Sequence, residues 1–143
     1  MNRLYVYLTF AGAIPFIFCA VCFFVGIHQL PIAGDLDRIL SLYSVIIASF
    51  LAGSHWGQHL SLATAQSHLL ALSSNGIAVA LWVLMLILPF RPLLIGFIIC
   101  FILLLIIDKA MMRAKLIAKH YYNIRVAITL IVVTTLIISY IYQ

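Results

Sequence analysis

The chain has 143 residues, of which 66% are hydrophobic and 8% are charged, and its mean hydropathy is +1.25. This composition excludes an ordinary soluble domain, because a soluble fold of this size needs far more polar residues to cover its surface. The net charge of +5 does not indicate nucleic-acid binding, because most of the basic residues lie in one segment beside apolar stretches.

Five long apolar stretches follow one another along the chain, at about 5–28, 38–62, 69–88, 93–108 and 124–142. A helix needs roughly 20 residues to cross the hydrocarbon core of a bilayer, so these spans leave only termini and short connections. The strict alternation of polar and apolar residues that marks a transmembrane barrel is absent. The sequence therefore predicts an all-α integral membrane bundle of five transmembrane helices, in a single domain that covers 1–143.

The basic residues predict an orientation. Most of them lie between the fourth and fifth spans, on the same predicted side as the N-terminus: Lys109, Arg113, Lys115 and Lys119. Because an excess of Lys and Arg marks the cytoplasmic side, we expect the N-terminus inside and the C-terminus outside. Basic residues so close to span ends also attract anionic lipid head groups. The expected partner is the lipid bilayer, and no nucleic acid is expected.

The first span contains two helix-breaking residues, Gly12 and Pro15. Proline removes a backbone donor and clashes with the preceding turn, so the sequence predicts a kink at this point. We interpret the kink as a packing feature, with a hinge or an opening for a ligand as the alternative. In the loop that follows, Asp35 or Asp37 is expected to cap the second span.

The second span contains a stripe of small residues at every fourth position. Such stripes let helix backbones approach closely in a bilayer, where packing drives helix association. Together with an aromatic neighbour and the proline of the first span, they form the predicted helix-packing set: Ser49, Gly53, Trp56, Gly57 and Pro15.

Polar residues from several spans are expected to meet at the cytoplasmic level of the bundle. The candidate polar cluster consists of His55, Gln58, His59, Asp108, Arg125 and Asn75. Opposite charges on Asp108 and Arg125 favour an ion pair, since pairing lowers the cost of holding each group near hydrocarbon. The cluster either locks the bundle or forms a polar pocket for an anionic head group, a quinone or a partner helix.

His55 and His59 lie one helical turn apart, on roughly the face opposite the small residues. Two imidazoles at this spacing are able to ligate a metal ion or haem. No Glu or Cys is evident as a further ligand at the same depth, so we interpret both as hydrogen-bonding to neighbouring helices and predict no metal or cofactor. The sequence also lacks a mid-span carboxylate, a phosphate-binding loop and a nucleophile elbow, so we do not expect an enzyme.

Four motifs follow one another in order: Gly-Ala-Ile-Pro-Phe, Ser-Phe-Leu-Ala-Gly-Ser-His-Trp-Gly, Asp108-Lys109 and Tyr121-Tyr122-x-x-Arg125-x-x-x-Thr129. Together they resemble an uncharacterised family of small bacterial inner-membrane proteins with relatives among mitochondrial transmembrane proteins. The resemblance implies a multi-pass protein of the bacterial cell inner membrane, in which the distribution of Lys and Arg places the C-terminus on the periplasmic side. It supplies no established activity. The site that it implies consists of Gly53, His55, Trp56, Gly57, Asp108 and Arg125.

We therefore expect a non-enzymatic structural, assembly or accessory protein that associates with a membrane-protein partner or with itself through the small residues of the second span. Under this hypothesis Gly53→Leu breaks association and His55→Ala has a mild effect. One alternative is a haem- or metal-binding redox accessory protein that uses His55 and His59. A second alternative is a small-solute transporter or channel.

Overall fold

The computed structural model describes residues 3–60 and 65–143. Its helices are α1 (Arg3–Ala11), α2 (Ile14–Phe24), α3 (Leu36–His59), α4 (Ala65–Ile87), α5 (Phe90–Arg113) and α6 (Lys119–Tyr142). Two short antiparallel strands, β1 (Gln29–Leu30) and β2 (Gly34–Asp35), pair within the loop between α2 and α3. Residues 61–64, in the predicted turn between the second and third spans, lie outside the described residues.

Five helical segments are long and apolar enough to cross a membrane: Leu4–Phe24, Leu36–His59, Ser67–Ile87, Phe90–Arg113 and Lys119–Tyr142. Each contains 21 to 24 residues, which matches the roughly 20 that a spanning helix requires. The predicted all-α, multi-pass architecture is thus confirmed. The last two helices extend beyond the predicted spans because their backbone hydrogen bonds continue into polar sequence, where hydropathy falls.

The first span is interrupted between α1 and α2, close to the predicted kink. Pro15 lies in the first turn of α2, where its missing N–H costs nothing because first-turn N–H groups have no partner within the helix. The Tyr43 hydroxyl of α3 donates a hydrogen bond to the Gly12 carbonyl oxygen at 2.9 Å. Beyond the break, α2 packs against both α6 and α3, whereas α1 packs mainly against α6.

The predicted side-chain cap of the second span does not form, although one of the two predicted residues lies at the capping position. Asp35 occupies the N-cap position of α3, but its side chain makes no capping hydrogen bond. Its Oδ1 instead accepts a hydrogen bond from Gln29 Nε2 at 2.9 Å, across the strand pair. Asp37 lies inside the first turn of α3, where a negative charge favours the helix dipole. The Asp35 side chain, which was predicted to cap α3, therefore stabilises the strand pair instead.

Large side chains from α2 and α5 fill the centre of the bundle. Phe16, Phe23, Phe97 and Phe101 are almost completely buried. Phe16 and Phe101 meet edge to face, with ring centroids 5.8 Å apart, a geometry that aromatic pairs prefer. This aromatic centre joins α2 to α5, and α5 also carries one residue of the polar cluster described below.

Two small-residue stripes run along α3. The inner stripe is buried and consists of Ser44, Ala48 and Ala52. The outer stripe is the predicted one and consists of Ser49, Gly53 and Gly57. Its glycines are exposed, and no described heavy atom outside the helix backbone lies within 4 Å of the position that a Cβ would take. The outer stripe therefore does not pack within the chain; the inner stripe lets α3 approach its neighbours, of which α4 has the most extensive contact.

Candidate functional site

Three of the predicted polar residues form a buried cluster, named here the triad: His55, Asp108 and Arg125. His55 Nε2 lies 2.8 Å from Asp108 Oδ1, and Arg125 Nε donates to Asp108 Oδ2 at 2.8 Å. The exposed fractions of His55, Asp108 and Arg125 are 1%, 1% and 4%. The ion pair predicted from opposite charges at one depth is present, and a histidine completes it.

The direction of the helices explains why these residues meet. Successive spans alternate in direction, so the C-terminal ends of α3 and α5 and the N-terminal end of α6 lie at one end of the bundle. Each triad residue is four to six positions from that end of its helix. At a rise of about 1.5 Å per residue this is about 6–9 Å along the helix axis. The triad therefore links α3, α5 and α6 just inside the apolar layer.

The hydrogen bonds assign donors and acceptors within the triad. The Arg125 guanidinium has donors but no acceptor, and its Nε donates to Asp108. His55 Nε2 donates to the other carboxylate oxygen, while its Nδ1 is buried without a partner among the described residues. Asp108 therefore accepts from both neighbours, and the Arg125 guanidinium balances its charge.

Arg125 has donors that the triad does not use. Its Nε bonds to Asp108, but its Nη2 is buried and has no hydrogen-bond partner within the described part of the chain. An unsatisfied buried donor costs about 1–3 kcal/mol. Arg125 therefore retains the capacity to bind a further oxygen acceptor.

The other predicted cluster members do not join the triad. His59 Nδ1 lies 3.2 Å from Ser67 Oγ at the beginning of α4. Asn75 is exposed, and its amide donates to a carbonyl oxygen of its own helix at 3.0 Å. Gln58 is half-buried on α3. None of them lies at the level of the triad, because Gln58 and His59 are at the end of α3 and Asn75 is ten positions into α4, about 15 Å along its axis.

The two histidines do not form a joint ligand pair in this arrangement. His55 is directed to Asp108 and His59 to Ser67. Within residues 3–60 and 65–143, no group of three His, Cys, Asp or Glu side chains is placed to hold a metal ion. Trp56, predicted as a packing residue, is partly exposed, and its ring centroid lies 5.0 Å from that of His59. The arrangement thus gives the metal hypothesis no added support.

A cavity of about 450 Å³ adjoins the triad between α1, α3 and α6. Arg125 lines it, with Tyr121 one turn before it and Thr129 one turn after it on α6. Sequence reasoning missed this cavity, although the recurrence of polar residues at every fourth position of α6 was a readable signal. A second cavity of about 400 Å³ lies between α4 and α5, and the described residues that line it include no charged side chain.

Comparison with known proteins gives a family. No curated protein and no solved structure matches the chain, so the expected relation to mitochondrial proteins stays a prediction. The family model described as "Protein of unknown function (DUF3429)" matches residues 1–141, which include every residue of the triad. This multi-pass membrane protein belongs to that family of unknown function.

Proposed function

We propose that the protein is a non-enzymatic accessory protein of the bacterial inner membrane that binds another transmembrane helix through the outer stripe of α3. The observation that carries the proposal is the position of this stripe, exposed on the face of α3 opposite the triad. Glycine gives little packing area against lipid, but it lets a second helix backbone approach closely. The fold itself does not use this surface.

The side chains around the stripe support a partner helix as its occupant. Phe50 and Trp56 flank the glycines on α3 and are both exposed. Between these larger side chains, Gly53 and Gly57 form a shallow groove along the helix. Helices associate by packing the ridge of one into such a groove of the other, and either a different membrane protein or a second copy supplies a ridge of this kind.

The way in which the polar groups are used supports a non-enzymatic role. The Asp108 carboxylate is bound on both sides by His55 and Arg125. Hydroxyl groups of the spans, such as those of Ser54 and Ser74, donate to carbonyl oxygens of their own helices. One described hydroxyl, that of Ser67, does contact an imidazole, at 3.2 Å from His59 Nδ1, but no described carboxylate orients that imidazole as a catalytic base.

The proposed orientation places the triad on the cytoplasmic side. It is supported by the four basic residues at the end of α5 and the beginning of α6, at the same end of the bundle. In intact cells, a membrane-impermeant maleimide should label Ile32→Cys, in the exposed loop before α3. It should label Lys115→Cys only after lysis. The reverse pattern would refute the orientation.

Disulfide cross-linking in native membranes tests the association. Gly53→Cys and Gly57→Cys are each introduced after Cys19, Cys22 and Cys100 have been replaced by Ala, and the membranes are oxidised. We expect an adduct whose mass shows whether the partner is a second copy or another protein. Val79→Cys, at an exposed position of α4, is the matched control and should give none. Equal adducts at all three positions, or none at the two glycines, would contradict the proposal.

A second pair of variants tests the close approach itself. Gly53→Leu should abolish the adduct formed at Gly57→Cys, because the larger side chain holds the partner backbone away. Gly76→Leu should preserve the adduct, because Gly76 is also a helical glycine in open surroundings but lies on α4. Retention of the adduct in both variants would show that the glycines of α3 are not the contact.

A further inference from the structure

The cavity beside Arg125 changes in character along its length. Tyr121, Arg125, Thr129 and Val132 line it in order along α6. The distance from the first to the last is about 16 Å at a rise of about 1.5 Å per residue. The cavity is polar near the start of α6 and apolar deeper in the bundle, where Phe101 closes it. It therefore matches an elongated molecule with one polar end.

The cavity opens sideways toward the bilayer. Leu8 of α1 and Phe50 of α3 both line it, yet 63% and 73% of their surfaces remain exposed. The break in the first span contributes to this opening, because α1 packs mainly against α6 while α2 also contacts α3. A molecule dissolved in the membrane is thus able to enter between α1 and α3 without passing through water.

The charge balance of the triad selects a neutral ligand. Asp108 already neutralises Arg125, whose remaining need is an acceptor for the buried Nη2. An anionic head group at Arg125 would also approach the Asp108 carboxylate, which lies 2.8 Å from Arg125 Nε, and like charges that are brought together repel. A neutral carbonyl oxygen accepts the hydrogen bond without this repulsion.

The cavity walls favour a planar ring. Its aromatic lining consists of Tyr5, Phe16, Phe50, Phe101 and Tyr121. The rings of Tyr5 and Tyr121 stack at the polar end, with centroids 5.6 Å apart. Aromatic side chains pack well against another flat ring, and the cavity volume of about 450 Å³ falls in the usual range for small-molecule sites, about 300–1,000 Å³.

We propose that this cavity binds a membrane-dissolved quinone, with its ring and carbonyl oxygens beside Arg125 at the polar end and the isoprenoid tail leaving between α1 and α3. The proposal concerns binding alone and includes no electron transfer. It does not require the proposed partner helix, because Leu51 and Ser54 of α3 line the cavity and lie outside the outer stripe, while Phe50 borders both surfaces.

Photolabelling tests the proposal. The full chain in nanodiscs of zwitterionic lipid is treated with an azido-benzoquinone that carries a decyl tail, and labelled peptides are identified by mass spectrometry. We expect saturable labelling of α1 and α6 that excess decyl-benzoquinone suppresses. Absence of saturable labelling would overturn the proposal. Suppression by a short-chain anionic phospholipid but not by decyl-benzoquinone would also overturn it, in favour of an anionic lipid.

Two matched variants locate the site. Ser54 lines the cavity, and its hydroxyl donates to a carbonyl oxygen of its own helix. Ser73 makes the same kind of bond but lines the second cavity. Ser54→Phe fills the first cavity and should lower labelling by about tenfold or more, equivalent to about 1.4 kcal/mol, whereas Ser73→Phe should leave it unchanged. Should Ser54→Phe fail to fold, Leu51→Trp fills the same space. Unchanged labelling in a folded cavity-filling variant would overturn the proposal.

Discussion

Removal of the Arg125 guanidinium should strongly destabilise the bundle. Asp108 has 1% exposure, and its two hydrogen bonds of 2.8 Å come from Arg125 and His55. The variant Arg125→Leu leaves this carboxylate buried without its counter-charge. Breaking a buried ion pair in this way costs about 3–5 kcal/mol. We expect a loss near the lower end of that range, because His55 retains its hydrogen bond to Asp108.

A double-mutant cycle separates the interaction energy between Asp108 and Arg125 from the energies of their other contacts. Asp108→Asn removes the charge but keeps an oxygen that accepts from His55, and alone it leaves Arg125 as an unpaired buried cation. In combination with Arg125→Leu both charges are absent, so the combined loss should be smaller than the sum of the single losses by about 2 kcal/mol or more. The assay is reversible unfolding in mixed micelles with increasing dodecyl sulfate, followed by tryptophan fluorescence.

Arg91→Leu is the matched control for this cycle. Arg91 is exposed near the beginning of α5, and its guanidinium carbon lies 4.8 Å from the centre of the Tyr140 ring. An exposed cation–π contact contributes about 0.5–1 kcal/mol, so this substitution should cost no more than that. A loss below about 1 kcal/mol for Arg125→Leu, or strict additivity in the cycle, would refute a buried triad as the link between the helices.

The same unfolding assay checks three further predictions. His55→Ala should lose about 1.5–3 kcal/mol of stability, the contribution of a hydrogen bond to a charged group; a loss under about 0.5 kcal/mol would contradict the contact with Asp108. Ala52→Leu should cost about 1–3 kcal/mol through overpacking of the inner stripe, whereas Gly53→Leu should leave the stability of the separated chain nearly unchanged. A larger loss of stability for Gly53→Leu than for Ala52→Leu would show that the outer stripe, and not the inner one, faces the bundle core. Tyr43→Phe should cost about 0.5–1.5 kcal/mol by removing the hydrogen bond to the carbonyl in the break of the first span. The exposed Tyr7→Phe is its control, and equal effects of the two would show that this bond contributes nothing.

Depth in the membrane could be predicted from the sequence, and this is why the pair of Asp108 and Arg125 was expected, whereas the contact of His55 with Asp108 was not. Apolar length fixes which residues cross the bilayer, and alternating direction then fixes which span ends share a side. His55, Asp108 and Arg125 all lie near such ends. Opposite charges near hydrocarbon pair because each lowers the cost of burying the other. Shared depth and opposite charge were therefore sufficient to predict the pairing of Asp108 with Arg125.

The sequence does not show how each helix is rotated about its own axis, and the wrong assignments of inward-facing and outward-facing residues follow from this. Asn75 is exposed although it is one position from the buried Ser74, and it lies ten positions into α4, deeper than the triad. The inner and outer stripes of α3 have the same spacing and similar residue sizes, so hydropathy does not separate them. Only the packing of α3 against neighbouring helices shows that the alanines face inward and the glycines outward.

Contacts between segments that are far apart in the chain could not be predicted from the sequence either. A break near Pro15 follows from local chemistry, but the hydroxyl that binds the Gly12 carbonyl comes from Tyr43, 31 positions along the chain. The cavity beside Arg125 depends on how α1 and α3 are positioned after this break. Each polar residue that lines the cavity could be identified in the sequence, whereas the space between these residues results from tertiary packing.

The most direct measurement of the central claim is a cysteine scan of α3 from position 46 to position 57, in native membranes and in a background without native cysteines. The claim is that α3 has a separate face for the bundle core, for a ligand and for a partner helix. Outer-stripe cysteines should form intermolecular disulfides. Cysteines at Leu51 and Ser54 should be protected from a lipophilic maleimide by decyl-benzoquinone. Inner-stripe cysteines should do neither. Reactivity without a helical repeat of about 3.6 residues, or inner-stripe cysteines as reactive as those of the outer stripe, would contradict the account.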